Sequence, residues 1–283
     1  MQILRFISDD KAVYTGYDYD GKTAKVLKGD VFSECCVTDI KKCVKNFLPP
    51  IDPVAIYCVG LNYRLHAKET GLDLPVYPVL FMKNPGAAIG HEDIIQIPAA
   101  CTQGPEVDYE AELAVVIKKR TKNIPPERAL DHVLGYTCAN DISARRWQMH
   151  GGGGQWIKGK SFDTFCPFGP WIVTPEGIDN PDDLEIQCIL NGRTMQKSNT
   201  NDMIFSVSQI ISYISESTTL MPGTLILTGT PGGVGFTKDP PVFLRPGDML
   251  ETRIEGIGTL KNRVEKEFFS PPASRTGKGE KNA

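Results

Sequence analysis

Val107-Asp108-Tyr109-Glu110-Ala111-Glu112-Leu113-Ala114-Val115-Val116-Ile117 opens acidic and closes as a run of β-favouring apolar residues. Read as one strand, it turns alternate side chains to opposite faces, so Glu110 and Glu112 share a face. Two adjacent carboxylates repel each other. Three arrangements tolerate them: a solvated face, a shifted proton affinity, or a shared cation of the kind hard oxygen ligands suit, Mg2+, Mn2+ or Ca2+. Paired acids are common at surfaces, so this fragment alone favours the solvated face.

Outward from this stretch, further strands are predicted at residues 54–60, 79–83, 134–140, 171–174, 184–190, 225–228 and 249–255, each bounded by Gly, Pro or Asn/Asp. With 110–117 they make the sheet component large. Asn191-Gly192 between two strand candidates is the strongest hairpin signal. Helices are fewer. One is expected over 126–133, with Pro at a permitted early position. Another is expected where Ile204, Val207, Ile210, Ile211 and Ile214 form an apolar stripe behind Asn201-Asp202 as cap. The expectation is an α+β chain, predominantly β.

Composition narrows the function classes. A hydrophobic share of 41% with 23% charged residues fits a globular chain, and no apolar run approaches a membrane span. The 27 glycines and 21 prolines point to many turns rather than a helical bundle. A formal charge of −3 offers no basic footprint for nucleic acid. The eight cysteines are scattered without a C-x-x-C pair, and the N-terminal residues lack the basic start and apolar core of a signal peptide. Reduced, mostly buried thiols in a cytoplasmic protein are expected, with mitochondria not excluded. Pro49, Pro50 and Pro53 suggest a boundary, giving a small β-rich domain at 1–50, a catalytic domain at 51–269 and a disordered tail at 270–283.

A third carboxylate, Asp141, closes the apolar run 134–140. It would complete an oxygen site for an ion, or cap a helix over 143–148. His66 and Glu69, three apart on a short helix, would share a face, either as a carboxylate-oriented base or as a surface pair. Gly154-Gln155-Trp156-Ile157-Lys158-Gly159-Lys160-Ser161 matches the phosphate-loop pattern letter for letter. That chemistry needs a buried strand before the loop and a helix after it. Neighbouring glycines on one side and Pro167, Gly169 and Pro170 on the other supply neither, so a nucleotide-binding protein is a remote alternative.

Together these residues resemble the fumarylacetoacetate hydrolase superfamily. The resemblance runs in order from about Val54 to Val264. It comprises the G-L-N-Y-x-x-H-A-x-E segment at 60–69, Glu110 and Glu112, Asn140-Asp141 through Arg145 with Gln148, Gly159-Lys160-Ser161-Phe162-Asp163, and Leu227-Thr228-Gly229-Thr230-Pro231. It implies a mixed β-sandwich roll and a homodimer. It also implies Glu110, Glu112 and Asp141 as ligands of Mg2+ or Mn2+, His66 and Glu69 as a water-activating dyad, Lys160 as a cation facing substrate, and Gln148 and Thr230 as substrate contacts. The short N-terminal part, and His150 with Gly151–Gly154 where larger members carry an aromatic contact, argue against fumarylacetoacetate itself. The likeness is to short members acting on acylpyruvate or oxaloacetate-type 2-oxo acids through a metal-bound enolate, by C–C hydrolysis or decarboxylation, or alternatively by enol–keto tautomerisation. A binding module that holds metal without turnover is the competing class. Residues 62–75 are expected to form a lid, with Leu65, Leu72 and Leu74 as its only sizeable aliphatic anchors.

Overall fold

Strands dominate the computed structural model, which describes residues 1–268. In chain order they are β1 (Gln2–Ile7), β2 (Val13–Tyr17), β3 (Thr23–Gly29), β4 (Cys35–Cys43), β5 (Asn46–Leu48), β6 (Ala55–Gly60), β7 (Val79–Lys83), β8 (Ala88–Ile89) and β9 (Ile94–Ile97). The second half adds β10 (Val107–Asp108), β11 (Ala111–Ile117), β12 (Val133–Asn140), β13 (Ser143–Ala144), β14 (Cys166–Val173), β15 (Glu185–Leu190), β16 (Arg193–Asn199), β17 (Thr224–Leu227), β18 (Met249–Ile254) and β19 (Gly258–Lys266). The α-helices are short: α1 (Arg64–Thr70), α2 (Pro126–Ala129), α3 (Ile157–Lys160) and α4 (Val207–Ser215).

A large sheet runs β4-β3-β2-β1-β14-β12-β11-β17-β6-β7, with β5 on β1 and β8 on β14; a second runs β16-β15-β18-β19-β9. Both are mixed: β17 pairs β6 in parallel and β11 antiparallel, and β19 pairs β9 in parallel. Every residue of β11 and β12 is buried, because these central strands are covered on both faces. The strands preceding the proline cluster continue the large sheet through β1, where Gln2 lies opposite Val173. The expected tail at 270–283, with residue 269, lies outside the described residues.

Most strand expectations hold to within a residue or two, with β14 reaching back to Cys166 from the expected start at 171. The Asn191-Gly192 hairpin forms as read: both residues have positive φ, 51° and 78°, and Leu190 pairs Arg193. The helices differ. Residues 126–133 give one α-turn and a 3-10 turn over Leu130–His132, after which Val133 already pairs in β12. Asn201-Asp202 sit in a separate 3-10 turn, and Ser206 caps α4: its hydroxyl accepts from the Gln209 backbone while the Gln209 side chain accepts from the Ser206 N–H. That reciprocal pair satisfies two otherwise orphaned donors, and it leaves Ile204 outside the helix. Val207, Ile210, Ile211 and Ile214 still enter the main core. Four cysteines are buried, but Cys35 and Cys36 are exposed on edge strand β4, correcting the expectation of mostly buried thiols; all eight are free.

Candidate active site

The acidic stretch is not one strand. β10 ends at Asp108, pairing with β13, and β11 begins at Ala111, pairing with β12 in a register that sets Ala111 opposite Asn140. Across the gap, the Asn140 side chain accepts the Glu110 N–H at 2.9 Å, and the Asp141 N–H donates to the Glu110 carbonyl at 2.8 Å. Asp141 is thereby fixed beside Glu110, and Glu112 follows at the next same-face position. The helix-cap alternative for Asp141 fails, since Ser143 and Ala144 are strand.

Each of the three carboxylates offers an oxygen within 4.8 Å of the others. Glu110 is 6% exposed, Glu112 1% and Asp141 0%, which rules out the solvated face. Burial, followed by the charges of Asp141 and Glu110, pushes the Glu112 carboxyl well above the usual range. Glu110 goes the other way: burial raises it, but Lys160 and Arg145 outweigh burial and hold it low. Glu112 is steadied by the Gly229 N–H at 2.6 Å. Gly229 has φ +102°, and a Cβ there would stand 2.7 Å from Asn62 Cβ, so the turn needs glycine.

Cations surround the acids. Lys160 Nζ lies 2.7 Å from both Glu110 Oε2 and Asp141 Oδ2. Its burial disfavours charge, yet Asp141 and Glu110 raise its proton affinity, so it stays ammonium. The literal phosphate-loop match therefore points its lysine into carboxylates. Two cations that sequence reading left without a role belong here as well. Lys83, 1% exposed, donates to Asp141 and to the Ile142 carbonyl. Arg145 grips Asp108 at 2.8 Å, Glu110 at 2.6 Å and the Gln148 side-chain oxygen at 3.0 Å. No local signal marked Lys83: β7 is an edge strand with Val79, Leu80 and Met82 exposed, and the lysine is its one buried residue. Asp108, fully buried, also accepts the Gly235 and Phe236 N–H groups and so ties that loop to the site.

At the rim, α1 carries the expected pair: His66 Nδ1 faces Glu69 Oε2 at 3.3 Å. Burial raises the Glu69 carboxyl, but hydrogen bonds from the Gly233 N–H, the Thr237 hydroxyl and His66 overcome it and hold it below the ordinary value. Leu65, Leu72 and Leu74 are all exposed, so they are not the anchors expected of them. The segment is held instead by buried Tyr63 and Ala67, by Asn62 bridging Phe205 and Thr228, and by Glu69. Gln148 is buried with its side-chain oxygen engaged by Arg145, which leaves its NH2 as the group able to donate. Thr230, 4% exposed, donates its hydroxyl to the Ala111 carbonyl at 3.0 Å.

When all are ionised, Asp108, Glu110, Glu112 and Asp141 exceed Lys83, Arg145 and Lys160 by one negative charge. A divalent ion held there would reverse that sign and make the centre receptive to an anion. The donor set is all hard oxygen, with neither sulfur nor imidazole among the three, which fits a hard divalent cation.

Residues 55–265 match the family model described as Fumarylacetoacetate (FAA) hydrolase C-terminal. Oxaloacetate tautomerase FAHD2A, mitochondrial, of Bos taurus is 47% identical over 220 residues, 77% of this chain and 69% of the relative. A protein of Archaeoglobus fulgidus without an assigned activity is 44% identical over 93% of this chain and 95% of its own length. Among solved structures, 2-hydroxyhepta-2,4-diene-1,7-dioate isomerase from Mycobacterium marinum superposes with a TM-score of 0.80 at 37% identity, covering 95% of this chain and 100% of that one. With the family model spanning the whole acidic centre and its rim, the chain belongs to the fumarylacetoacetate hydrolase family.

Proposed function

We propose that the protein is a divalent-metal-dependent enzyme acting on 2-oxo acids of the oxaloacetate or acylpyruvate type by way of an enolate. The observation that carries this reading is the buried cluster of Glu110, Glu112 and Asp141 within 4.8 Å, with Lys160 set between two of them. These three carboxylates would hold Mg2+ or Mn2+, which when bound supplies Lewis-acid stabilisation of charge developing on a substrate oxygen. Lys160 adds a fixed ammonium without needing reorganisation. With Glu69 accepting at Nδ1, His66 is held in the tautomer that leaves Nε2 free to take a proton. Gln148 offers its NH2 to a substrate oxygen, and Thr230, whose hydroxyl already donates to the Ala111 carbonyl, contacts substrate from the 228–231 turn.

Removing a proton from the carbon next to the oxo group and returning it to oxygen is enol–keto tautomerisation. Removing one from water leads to C–C hydrolysis, and decarboxylation needs only the electron sink. Relatives at 45–47% identity bear the name oxaloacetate tautomerase, which supports enol–keto exchange; the His66–Glu69 pair supports hydrolysis as a second reading. The test is a panel of enol and keto oxaloacetate and acylpyruvates, followed by ultraviolet absorbance and product analysis with Mg2+, with Mn2+ and with excess chelator. Metal-dependent acceleration of at least one is expected. Full turnover in chelator would overturn the metal reading, and inertness toward the whole panel would overturn the substrate class. We further propose that residues 62–75 close over bound substrate, that residues 1–50 act as an appended β-rich unit, and that the protein works as a homodimer. Eight free thiols suit a reducing compartment such as the cytosol; the named mammalian relatives are mitochondrial.

A further inference from the structure

Ala111 lies between the two glutamates of the centre, and the strand that should flank it stops short. β17 ends at Leu227, which pairs Ala114; beyond it the chain turns, with the Thr228 N–H and hydroxyl both donating to the Leu113 carbonyl. The backbone groups of Ala111 on that side are met by side chains instead of a strand. Thr230 donates to the Ala111 carbonyl, and the Ala111 N–H donates to Gln196 Oε1 at 2.9 Å. Gln196 comes from the other sheet, on β16, and is 1% exposed. Its two amide hydrogens reach Thr230 Oγ1 and the Pro231 carbonyl, both at 2.8 Å. The orientation of this amide is forced: a backbone N–H can only donate to its oxygen, and a carbonyl can only accept from its nitrogen.

We infer that Gln196 is a positioning residue of the metal centre, clamping the 228–231 turn onto the Glu110–Glu112 rung so that the Gly229 N–H keeps Glu112 aimed at the ion. The inference rests on the metal reading proposed above. Groups that orient metal ligands without touching the ion typically change affinity by about 10–100-fold when removed. Gln196 touches none of the three carboxylates, so a purely structural role would alter folding stability but leave ion affinity intact once folded.

The test is Mn2+ binding, by calorimetry or electron paramagnetic resonance, to folded wild type, Gln196→Leu and Gln196→Glu, without substrate. Gln196→Leu removes the whole clamp. Gln196→Glu keeps the acceptor for Ala111 but loses both donors. Mn2+ affinity is expected to fall about 10–100-fold in the first and by less in the second, with turnover recovered in part by excess Mn2+. Should either variant fail to fold, Thr230→Val cuts the clamp from its other end at nearly constant volume, and a similar loss of affinity is expected. Folded variants that all bind Mn2+ within twofold of wild type would overturn the inference. Wild type that binds Mn2+ but turns over no 2-oxo acid would overturn the functional reading alone, and wild type without Mn2+ affinity would overturn both.

Discussion

Glu112 carries an unusual load for one side chain. It is buried, it faces two other carboxylates, and its principal donor is the Gly229 N–H. Because its folded proton affinity is raised, the ion-free protein keeps a proton there at pH values where an ordinary glutamate has lost it. An entering cation must displace that proton, so Mn2+ affinity should rise with pH and binding should release protons. Calorimetry in two buffers of different ionisation enthalpy reads the release directly; pH-independent affinity with no proton release would contradict it. Glu112→Ala removes a proposed ligand and should abolish both ion binding and turnover. At Lys160, the paired carboxylates take the place a phosphate would need. ATP is therefore expected to produce no rise in melting temperature, and a saturable rise would revive the nucleotide reading. Lys160→Ala, by contrast, should depress 2-oxo acid turnover.

At the scale of elements, α1 and α4 show how differently helices of similar length are held. α4 has an apolar face in the core and a capping box, so Ser206→Ala should cost about 1 kcal/mol, measurable as a lowered urea midpoint with unchanged slope. The N-cap of α1, Tyr63, makes no side-chain cap bond; the Asp202 carboxylate accepts the Leu65 N–H at 3.0 Å instead, and at the other end the Glu69 carboxylate binds Gly233 and Thr237. The Glu69 value is depressed from 4.5, so its contribution is fully present above about pH 4.5 and is lost as pH falls through the lower folded value. Hydrogen exchange of the 64–70 amides, corrected for intrinsic rates, should stay flat down to about pH 4.5 and accelerate only below it. Acceleration already between pH 7 and 5 would show that another group holds the helix.

For the whole molecule, the sharpest experiment separates reaction classes. His66→Ala should cost acylpyruvate hydrolysis about 10²–10⁴-fold, the usual loss on removing a general base, while decarboxylation, which needs only the electron sink, persists in part. If wild type hydrolyses no acylpyruvate and His66→Ala removes oxaloacetate enol–keto exchange, the histidine is the carbon base of a tautomerase. Light scattering at micromolar concentrations should give about twice the chain's 31.2 kDa; a mass near one chain would contradict the homodimer.

Local chemistry was enough for much of this. Alternation and turn residues located nearly every central strand, Asn-Gly located the hairpin, and the spacing of two within Glu110-x-Glu112 put both carboxylates on one face, because these are consequences of a few neighbouring residues. A spacing of three on a short helix put His66 and Glu69 together. What sequence could not decide was burial and long-range pairing. Whether Glu110 and Glu112 face water depends on β11 lying deep in a sheet whose neighbours come from residues 133–140 and 224–227. Lys83 and Gln196 are unremarkable as letters, and Arg145 stands in the 140–145 motif without a role of its own. They acquire roles only because folding sets Lys83 beside a carboxylate 58 positions away and Gln196 beside a backbone N–H 85 positions away, distances that no local pattern encodes.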